Sequence, residues 1–370
     1  MSGRRRFGAI RKLPSGRFQV RYQDPSSHAM RTAPRTFPTK TEAARWLSVV
    51  EADSLRGQWV DPAQGSMLFS ELADRWFATK LHLRPTTRLQ YTYLLSKHIV
   101  PTFGDRPIGK ITTLDVQTWI AGRHASGLSA NSVAKAYKVL RMVMEAGVDA
   151  GLILRNPCRV KGAAMERLPE MQAATPEQVA AIAEAVEPRY RALVLMAAYS
   201  GLRWGELAGL RQKHLDPLHK RVRVVEQLLE VNGHLSHAAP KTTAGTRTVA
   251  LPQFLVEVLV DHLGRFSPPG ADALVFTTPE GTPLRRENFR RRVWYPAVRA
   301  VGMEGFRFHD LRHTNATLAA SSGAPLVALM RRLGHASPAA AIRYQHKVNG
   351  QDEAIALHLD SLALPLVHRS

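Results

Sequence analysis

The chain has 370 residues and carries 51 Lys and Arg against 30 Asp and Glu, a formal net charge of +21. This length exceeds what one hydrophobic core usually serves, so two or three domains are expected. The charge predicts a polyanionic partner. Nucleic acid is favoured over an anionic membrane surface, because the longest apolar run, 192–199, is far too short to span a bilayer. A single cysteine, Cys158, excludes an intramolecular disulfide and a thiolate zinc cluster and fits a reducing cytoplasm.

The first sixty residues predict a small sheet followed by one helix, with strands at 8–12, 17–22 and 30–37. Alternation in the second strand places Val20 and Tyr22 on one face and Arg17 and Arg21 on the other. A helix is expected to begin after Thr39 and to stop at Gly57. One helix can cover only one face of such a sheet, so the arginine-bearing face is free to enter a DNA major groove. A merely solvated face is the alternative.

A linker at 58–66 leads into a helical module, with helices predicted at 68–81, 85–100, 113–123 and 129–151. Apolar residues recur at helical spacing in these segments and predict a shared core. Asn156-Pro157 is expected to end the last helix, because proline disfavours helix in the residue before it. A second linker then runs to about residue 172. Polar and basic side chains predicted on the outer faces, where they either contact DNA or are simply solvated, are Arg84, Thr86, Arg88, Lys135 and Lys138.

The second half of the chain predicts helices mixed with short strands. A buried helix at 191–200 is expected to stop at Gly201, and Arg203 opens the next helix. An anion near Arg203 would be favoured by the backbone donors of that helix start, whereas an ion pair with Glu206 is the simpler role for Arg203 taken alone.

Strands are predicted farther along at 221–226, 246–251 and 273–277, with a tight turn at Asn232-Gly233. Lys241 falls in the connection before the strand at 246–251. A very basic helix follows the last strand and includes Arg290.

The segment 308–344 concentrates the chemically capable residues. His309 and Arg312 stand three apart in a predicted helix, so both side chains would project from one face and reach one anion. Arginine suits forked contact with a phosphate, because its guanidinium is planar and always charged. A short helix then stops at Gly334, and His335 follows in a loop. Tyr344 would need nearby cations or bases to act as a nucleophile, because a phenol has a pKa of about 10.

Five motifs in this order resemble the tyrosine recombinases of the phage integrase type. They are a Gly-Leu-Arg-x-x-Glu-Leu box at 201–207, a lysine hairpin at 240–247, His-x-x-Arg at 309–312, Gly-His at 334–335 and a tyrosine at 344. The resemblance covers about 66–350, and the first sixty residues resemble the small arm-type DNA-binding domain of some phage integrases. It implies a mainly α fold with small β-sheets (α+β). The expected domains are an arm-type domain at 1–60, a helical core-binding domain at 66–160 and a catalytic domain at 172–370.

The resemblance also implies roles for individual residues. Arg203 and Arg312 would hold the scissile phosphate, Tyr344 would attack it, and Lys241 would protonate the departing 5'-oxygen. His309 would accept the tyrosine proton and His335 would bind the phosphate. Glu206 and His313 would support these groups. Neither metal nor another cofactor is expected. The predicted DNA contacts are Arg17, Arg21, Arg84, Thr86, Arg88, Lys135, Lys138 and Arg290.

The expected partner is double-stranded DNA carrying core-type and arm-type attachment sites, and four subunits are expected on it. The need for a host DNA-bending protein or an excisionase stays open. A type IB topoisomerase is the nearest alternative, and a catalytically idle DNA-binding regulator is another. A metal site formed by His309, His313 and His335 is disfavoured, since neighbouring arginines would repel a cation.

Overall fold

The computed structural model describes residues 7–24, 28–56, 64–166, 172–240, 242–338 and 341–342. The chain divides into two compact units, Met1–Leu168 and Pro169–Ser370. Among the described residues, the first unit contains two separate hydrophobic cores, and the second contains one large core and a small satellite cluster. The predicted α+β class is confirmed, since helices dominate and the sheets are small and antiparallel. None of the helices in the described ranges combines the length and apolar character needed to cross a bilayer.

An antiparallel sheet and one helix form the N-terminal part. The elements are β1 (Gly8–Lys12), β2 (Phe18–Gln23), β3 (Met30–Thr32) and α1 (Lys40–Leu55). Val20 and Tyr22 are buried against the helix, as the alternation predicted. The predicted third strand at 30–37 is too long. Its ladder ends at Thr32 and only Phe37 pairs again, with Phe18. The predicted cap is confirmed, because the Thr39 side chain accepts a hydrogen bond from the Glu42 N–H. Gly57 lies outside the described residues.

Five helices build the rest of the described first unit. They are α2 (Phe69–Ala78), α3 (Pro85–Leu94), α4 (Val100–Phe103), α5 (Thr113–Ala125) and α6 (Ala130–Asp149). A π-helical turn, Leu95–Ile99, joins α3 to α4. The predicted helix at 85–100 therefore runs on to Phe103.

The predicted end of the last helix at Asn156-Pro157 is wrong. The helix stops at Asp149, and Gly151 follows with a φ of +69°. The Asn156 side chain instead donates to the Arg141 carbonyl and the Glu145 carboxylate, which fixes the following segment on α6. Cys158 belongs to the core beneath this segment, and burial raises the pKa of its thiol to about 12.

The second unit opens with α7 (Pro176–Ala185), α8 (Pro188–Ser200) and α9 (Trp204–Ala208). A sheet in the order β4-β5-β8 consists of Leu215–Asp216, Arg221–Val224 and Arg247–Ala250. Between its last two strands, β6 (Gln227–Val231) and β7 (His234–Ala238) form a hairpin. The predicted tight turn is confirmed, since Asn232 and Gly233 have φ values of +51° and +77°.

The predicted strand at 273–277 is wrong. This segment makes only isolated bridges, from Leu274 to Arg211 and from Thr277 to Pro283. The segment that pairs with Leu274 forms a 3-10 helix, Gln212–His214, directly after Arg211. No ladder can extend beside a helical turn, because the backbone groups no longer alternate in register.

The remaining helices are α10 (Gln253–Phe266), α11 (Arg286–Phe289), α12 (Tyr295–Ala300), α13 (Asp310–Ser321) and α14 (Leu326–Leu333). The predicted basic helix is helical from α11 to α12 but contains a π turn, Arg290–Trp294. Trp294 is fully buried in the large core, which anchors that turn. The α13 helix packs against α8 and α14, so residues from distant parts of the sequence meet at the ends of these helices.

Candidate active site

Two helices of the second unit end at glycines that are enclosed by other parts of the site. Gly201 ends α8 and Gly334 ends α14, with φ values of +70° and +62°. Both predicted stops are confirmed. A Cβ atom on Gly201 would lie 2.6 Å from Asn315 Oδ1, and one on Gly334 would lie 2.9 Å from the Ala244 carbonyl oxygen. The left-handed conformation and the close packing both require glycine at these positions.

Arginine side chains are directed at the carbonyls of these helix ends. Arg312 is only 4% exposed, and its guanidinium donates to the carbonyls of Gly201 and Leu333. The Arg203 guanidinium donates to the Gly334 carbonyl over 3.1 Å. Carbonyls at a helix C-terminus carry partial negative charge, which favours a cation. The structure thus brings together the two arginines predicted to share an anion, since their acceptors at Leu333 and Gly334 are consecutive.

Glu206 is the buried counter-ion of this cluster. Its carboxylate accepts from the Arg203 main-chain N–H at 2.8 Å and from Arg203 Nη1 at 2.9 Å. Burial opposes ionisation of Glu206, but hydrogen bonds from Arg247 and the charges of Arg247 and Arg203 outweigh it and lower the pKa of the carboxyl. The ion pair between Arg203 and Glu206 is therefore formed, and it occupies the backbone donor at the start of α9. The Arg203 side chain is still 38% exposed.

Arg247 is a site residue that the sequence analysis missed. It is 8% exposed, and it donates to both carboxylate oxygens of Glu206, at 3.1 and 2.9 Å. It also donates to the carbonyls of Arg332, at 2.8 Å, and Gly245, at 3.0 Å. The sequence indicates that Arg247 is buried, because the alternation in β8 places it on the same face as the buried Val249. A charged residue on the core-facing side of a strand indicates a buried ion pair.

His335 lies among these arginines. Burial and the charges of Arg312, Arg203 and Arg247 lower the pKa of its imidazole to about 4, so the ring is neutral at pH 7. Its Nδ1 is buried and has no hydrogen-bond partner among the described residues. A buried imidazole nitrogen without a partner is available to a ligand, because pairing it would remove a desolvation cost.

His309 directly precedes α13 and has helical backbone angles, with φ of -68° and ψ of -21°. The Arg312 N–H donates to the His309 carbonyl over 3.1 Å, so the predicted one-turn spacing of these two residues is formed at the start of the helix. Burial and then the charges of His313 and Arg312 lower the pKa of His309 to about 4. Its ring packs edge-on against that of His313, with centroids 4.9 Å apart.

Arg203 and His309 both line a cavity of about 400 Å³. Its wall includes the aromatic side chains of Trp204 and Phe308 and three further arginines, Arg286, Arg290 and Arg307. No carboxylate lies among the lining residues, so the cavity favours an anionic ligand. The described residues contain no group of three or more His, Cys, Asp or Glu side chains placed to hold a metal ion.

Lys241 and Tyr344 lie outside the described residues. The turn on either side of Lys241 is described, however. A 3-10 turn, Thr243–Gly245, follows it and leads directly into β8.

The predicted DNA contacts of the first unit are exposed or half-buried, and several have intramolecular partners. Arg17 donates to Thr36 through two nitrogens, at 2.7 and 2.8 Å, and Arg88 donates to the Lys80 carbonyl at 3.2 Å. Lys138 lies 2.6 Å from a Glu166 carboxylate oxygen, and Lys135 lies 3.9 Å from the other. Arg21, Arg84 and Thr86 are exposed as well. In the second unit, Arg290 pairs with Glu287 and lies over the Tyr295 ring.

Solved structures identify the class of fold. The Tn1549 transposon integrase, in complex with a circular intermediate DNA, matches with a TM-score of 0.70 over 80% of this chain and 100% of that chain, at 20% identity. A lambda integrase tetramer bound to a Holliday junction matches with a TM-score of 0.56 over 93% of this chain and 96% of that one, at 18% identity. The fold is therefore that of the integrases.

Sequence comparison then gives the family. Models described as the phage integrase family, its N-terminal domain and its N-terminal SAM-like domain match residues 172–350, 6–56 and 68–122. A putative prophage phiRv2 integrase of Mycobacterium tuberculosis is 37% identical over 97% of this chain and 96% of its own length. The chain belongs to the phage integrase family and is a site-specific tyrosine recombinase. The exact domain boundaries stay a prediction.

Proposed function

We propose that this recombinase cleaves and rejoins double-stranded DNA at attachment sites through a 3'-phosphotyrosine intermediate, and thereby integrates or excises phage or mobile-element DNA in a bacterial cytoplasm. The observation that supports this most directly is the cluster of Arg203, Arg312 and His335 at the ends of α8 and α14. Because these donors are fixed before a ligand arrives, they can stabilise charge on a phosphate without reorganising.

In this mechanism Arg203 and Arg312 bind the two non-bridging oxygens of the scissile phosphate. Negative charge on these oxygens grows in the five-coordinate transition state, so the guanidinium groups bind that state more tightly than the ground state. Glu206 orients Arg203, and Arg247 balances the carboxylate, so the cluster keeps a net positive charge. Loss of one preorganised donor typically costs about 10²–10³ in rate.

Tyr344 attacks phosphorus, so a bond from its oxygen to phosphorus forms while the bond to the 5'-oxygen breaks. Lys241 gives its proton to that 5'-oxygen, and help of this kind is typically worth about 10²–10⁴ in rate. His309 accepts the tyrosine proton, which a pKa of about 4 permits because the ring is unprotonated at neutral pH. His335 hydrogen-bonds the phosphate, and His313 supports the His309 ring.

A 5'-hydroxyl from a second DNA strand reverses the reaction and joins strands without ATP, because the phosphotyrosine retains the bond energy. No metal or other cofactor is needed for these steps. Cutting two duplexes one strand at a time requires four subunits, and the tetrameric lambda integrase on a Holliday junction supports the same assembly here.

We assign DNA binding outside the cleavage point to the basic surfaces of the first unit. The sheet β1-β2-β3 leaves Arg21 exposed on the face opposite α1, which suits an arm-type site read through a groove. The helical part, with Arg84, Thr86, Arg88, Lys135 and Lys138, would contact the core-type site through phosphates. A host bending protein or an excisionase would be a further partner at such sites.

The test is incubation with nicked duplexes that carry candidate attachment sites and trap the cleaved state, followed by denaturing electrophoresis. The native protein is expected to form a covalent protein–DNA adduct, and Tyr344→Phe is expected to form none. Adduct formation by Tyr344→Phe would overturn the assignment of the nucleophile. Relaxation of supercoiled plasmid without site preference or strand joining would favour a type IB topoisomerase instead, and specific binding without any adduct would favour an idle regulator.

A further inference from the structure

Arg247 connects separate parts of the site through one side chain. It pairs with Glu206, which holds Arg203, and it donates to the carbonyl of Arg332, two residues before Gly334. Its third partner is the Gly245 carbonyl, in the turn that follows Lys241. Two of these partners are thus tied to residues proposed to hold the phosphate, and the third belongs to the turn of the proposed proton donor.

The turn itself is tightly constrained. The Gly245 N–H donates to the Thr242 carbonyl over 2.8 Å, and the Thr246 N–H donates to the Thr243 carbonyl over 3.1 Å. A Cβ atom on Gly245 would lie 2.4 Å from Pro240 Cβ, so the two sides of the turn are in contact. The Ala244 carbonyl lies against Gly334. The residues on both sides of Lys241 are therefore fixed relative to the end of α14.

We propose that Arg247 is a positioning residue for the proton donor, because it holds the turn Thr243–Gly245, which follows Lys241 in the sequence, against the end of α14. This inference rests on the proposed function, because it takes Lys241 as the group that protonates the 5'-oxygen. Arginine fits the task because its planar fork reaches a carboxylate and two carbonyls at once. A lysine in its place keeps a charge for Glu206 but has a single point of contact.

A role in proton donation can be distinguished from a role in phosphate binding by changing the leaving group of the DNA substrate. A DNA substrate with sulfur at the bridging 5' position expels a thiolate, which departs without a proton because a thiol has a pKa of only about 8.5, far below that of an alcohol. In that reaction the bond from the tyrosine oxygen to phosphorus forms and the phosphorus–sulfur bond breaks. A defect in the proton donor should therefore disappear with sulfur, whereas a defect in phosphate binding should remain.

Arg247→Met is expected to slow adduct formation about 10²-fold or more on the oxygen substrate. The sulfur substrate should recover most of that loss, with a smaller remainder because Glu206, which holds Arg203, loses a partner. Lys241→Ala should behave in the same way, and Arg203→Ala should be slow on both substrates. Arg332→Met is the matched control. Arg332 is half-buried and also donates to carbonyls, those of Tyr199 and Ala250, but it makes no bond to the described residues of the turn that follows Lys241. Its loss should affect both substrates equally.

Equal losses on the two substrates for Arg247→Met would overturn the proposal, whatever Lys241→Ala does. Rescue of Arg247→Met without rescue of Lys241→Ala would remove Lys241 as the donor and would overturn the proposal in its stated form, together with that part of the proposed function. If Arg247→Met does not fold, Gly245→Ala supplies the same test, because the added Cβ displaces the turn and leaves the pair of Arg247 with Glu206 in place. Gly245→Ala without sulfur rescue would count against the proposal.

Discussion

The basic residues of the two units are held in different ways. In the second unit, Arg312 and Arg247 are buried and bound to fixed carbonyls and to Glu206. In the first unit, Lys135 and Lys138 are exposed and share one carboxylate, that of Glu166. Exposed ion pairs contribute little to stability and are screened by salt, whereas the fixed cluster costs no reorganisation when a ligand binds. The contrast indicates chemistry in the second unit and adjustable, salt-sensitive binding in the first.

The largest effects are expected for Arg312 and Arg203, which should differ in stability but not in their contribution to the rate. Arg312→Ala should reduce adduct formation by about 10² or more and also destabilise the fold by about 1–3 kcal/mol, because buried carbonyls at Gly201 and Leu333 lose a donor. Arg203→Ala should lose a similar factor in rate with less destabilisation, because its side chain is partly exposed. Single-turnover cleavage and urea unfolding measure the two quantities. Equal stability losses would contradict the difference in burial.

A second effect is the dependence of stability on pH. The folded-state pKa of His335 is lowered to about 4, whereas that of an unfolded histidine is about 6.5. The unfolded state therefore takes up the proton first, and the contribution of His335 is complete above about pH 6.5 and is lost as pH falls towards 4. His335→Asn should show a smaller loss of unfolding free energy over this window than the native protein. Parallel curves would show that this ring does not titrate as described.

The smallest expected effect is a change in DNA affinity, and it concerns the exposed lysines of the first unit. Glu166→Gln removes the carboxylate that Lys135 and Lys138 share, so both lysines become available to phosphates. DNA affinity should rise a few-fold, and the dependence of log affinity on log salt should steepen by about one ion or less. Glu71→Gln, which removes the partner of Arg75, a residue outside the predicted DNA contacts, is a matched control. Unchanged binding for Glu166→Gln would remove these lysines from the DNA interface.

The elements that sequence predicted well are those set by local chemistry. Gly201 and Gly334 end their helices as expected, and Asn232-Gly233 forms the tight turn, because each position needs a backbone conformation that few residues adopt. The prediction of a strand at 273–277 was wrong because strand pairing depends on residues that are distant in the sequence. Its partner segment lies about sixty positions earlier, at Arg211, and forms a 3-10 helix from Gln212, so the two segments cannot pair further.

The candidate site shows the same limit. The individual residues could be read from motifs. Taken alone, Arg203 fitted an ion pair with Glu206 most simply, and only the resemblance assigned it to the phosphate. The structure contains that ion pair and still leaves the Arg203 side chain partly exposed. Arg247 was missed because its partners at Gly245, Glu206 and Arg332 come from three separate segments. Alternation in β8 marked it as buried, and only tertiary structure could show what it binds.

The burial of Cys158 has a practical consequence for experiments on this recombinase. With its thiol in the core and a pKa of about 12, the sole cysteine should be nearly inert towards maleimide at neutral pH. A cysteine introduced on the surface, for instance Ser96→Cys, would then carry a fluorophore at one known position without a cysteine-free background. Fluorescence energy transfer between labelled protein and labelled DNA would thus become available from a single substitution.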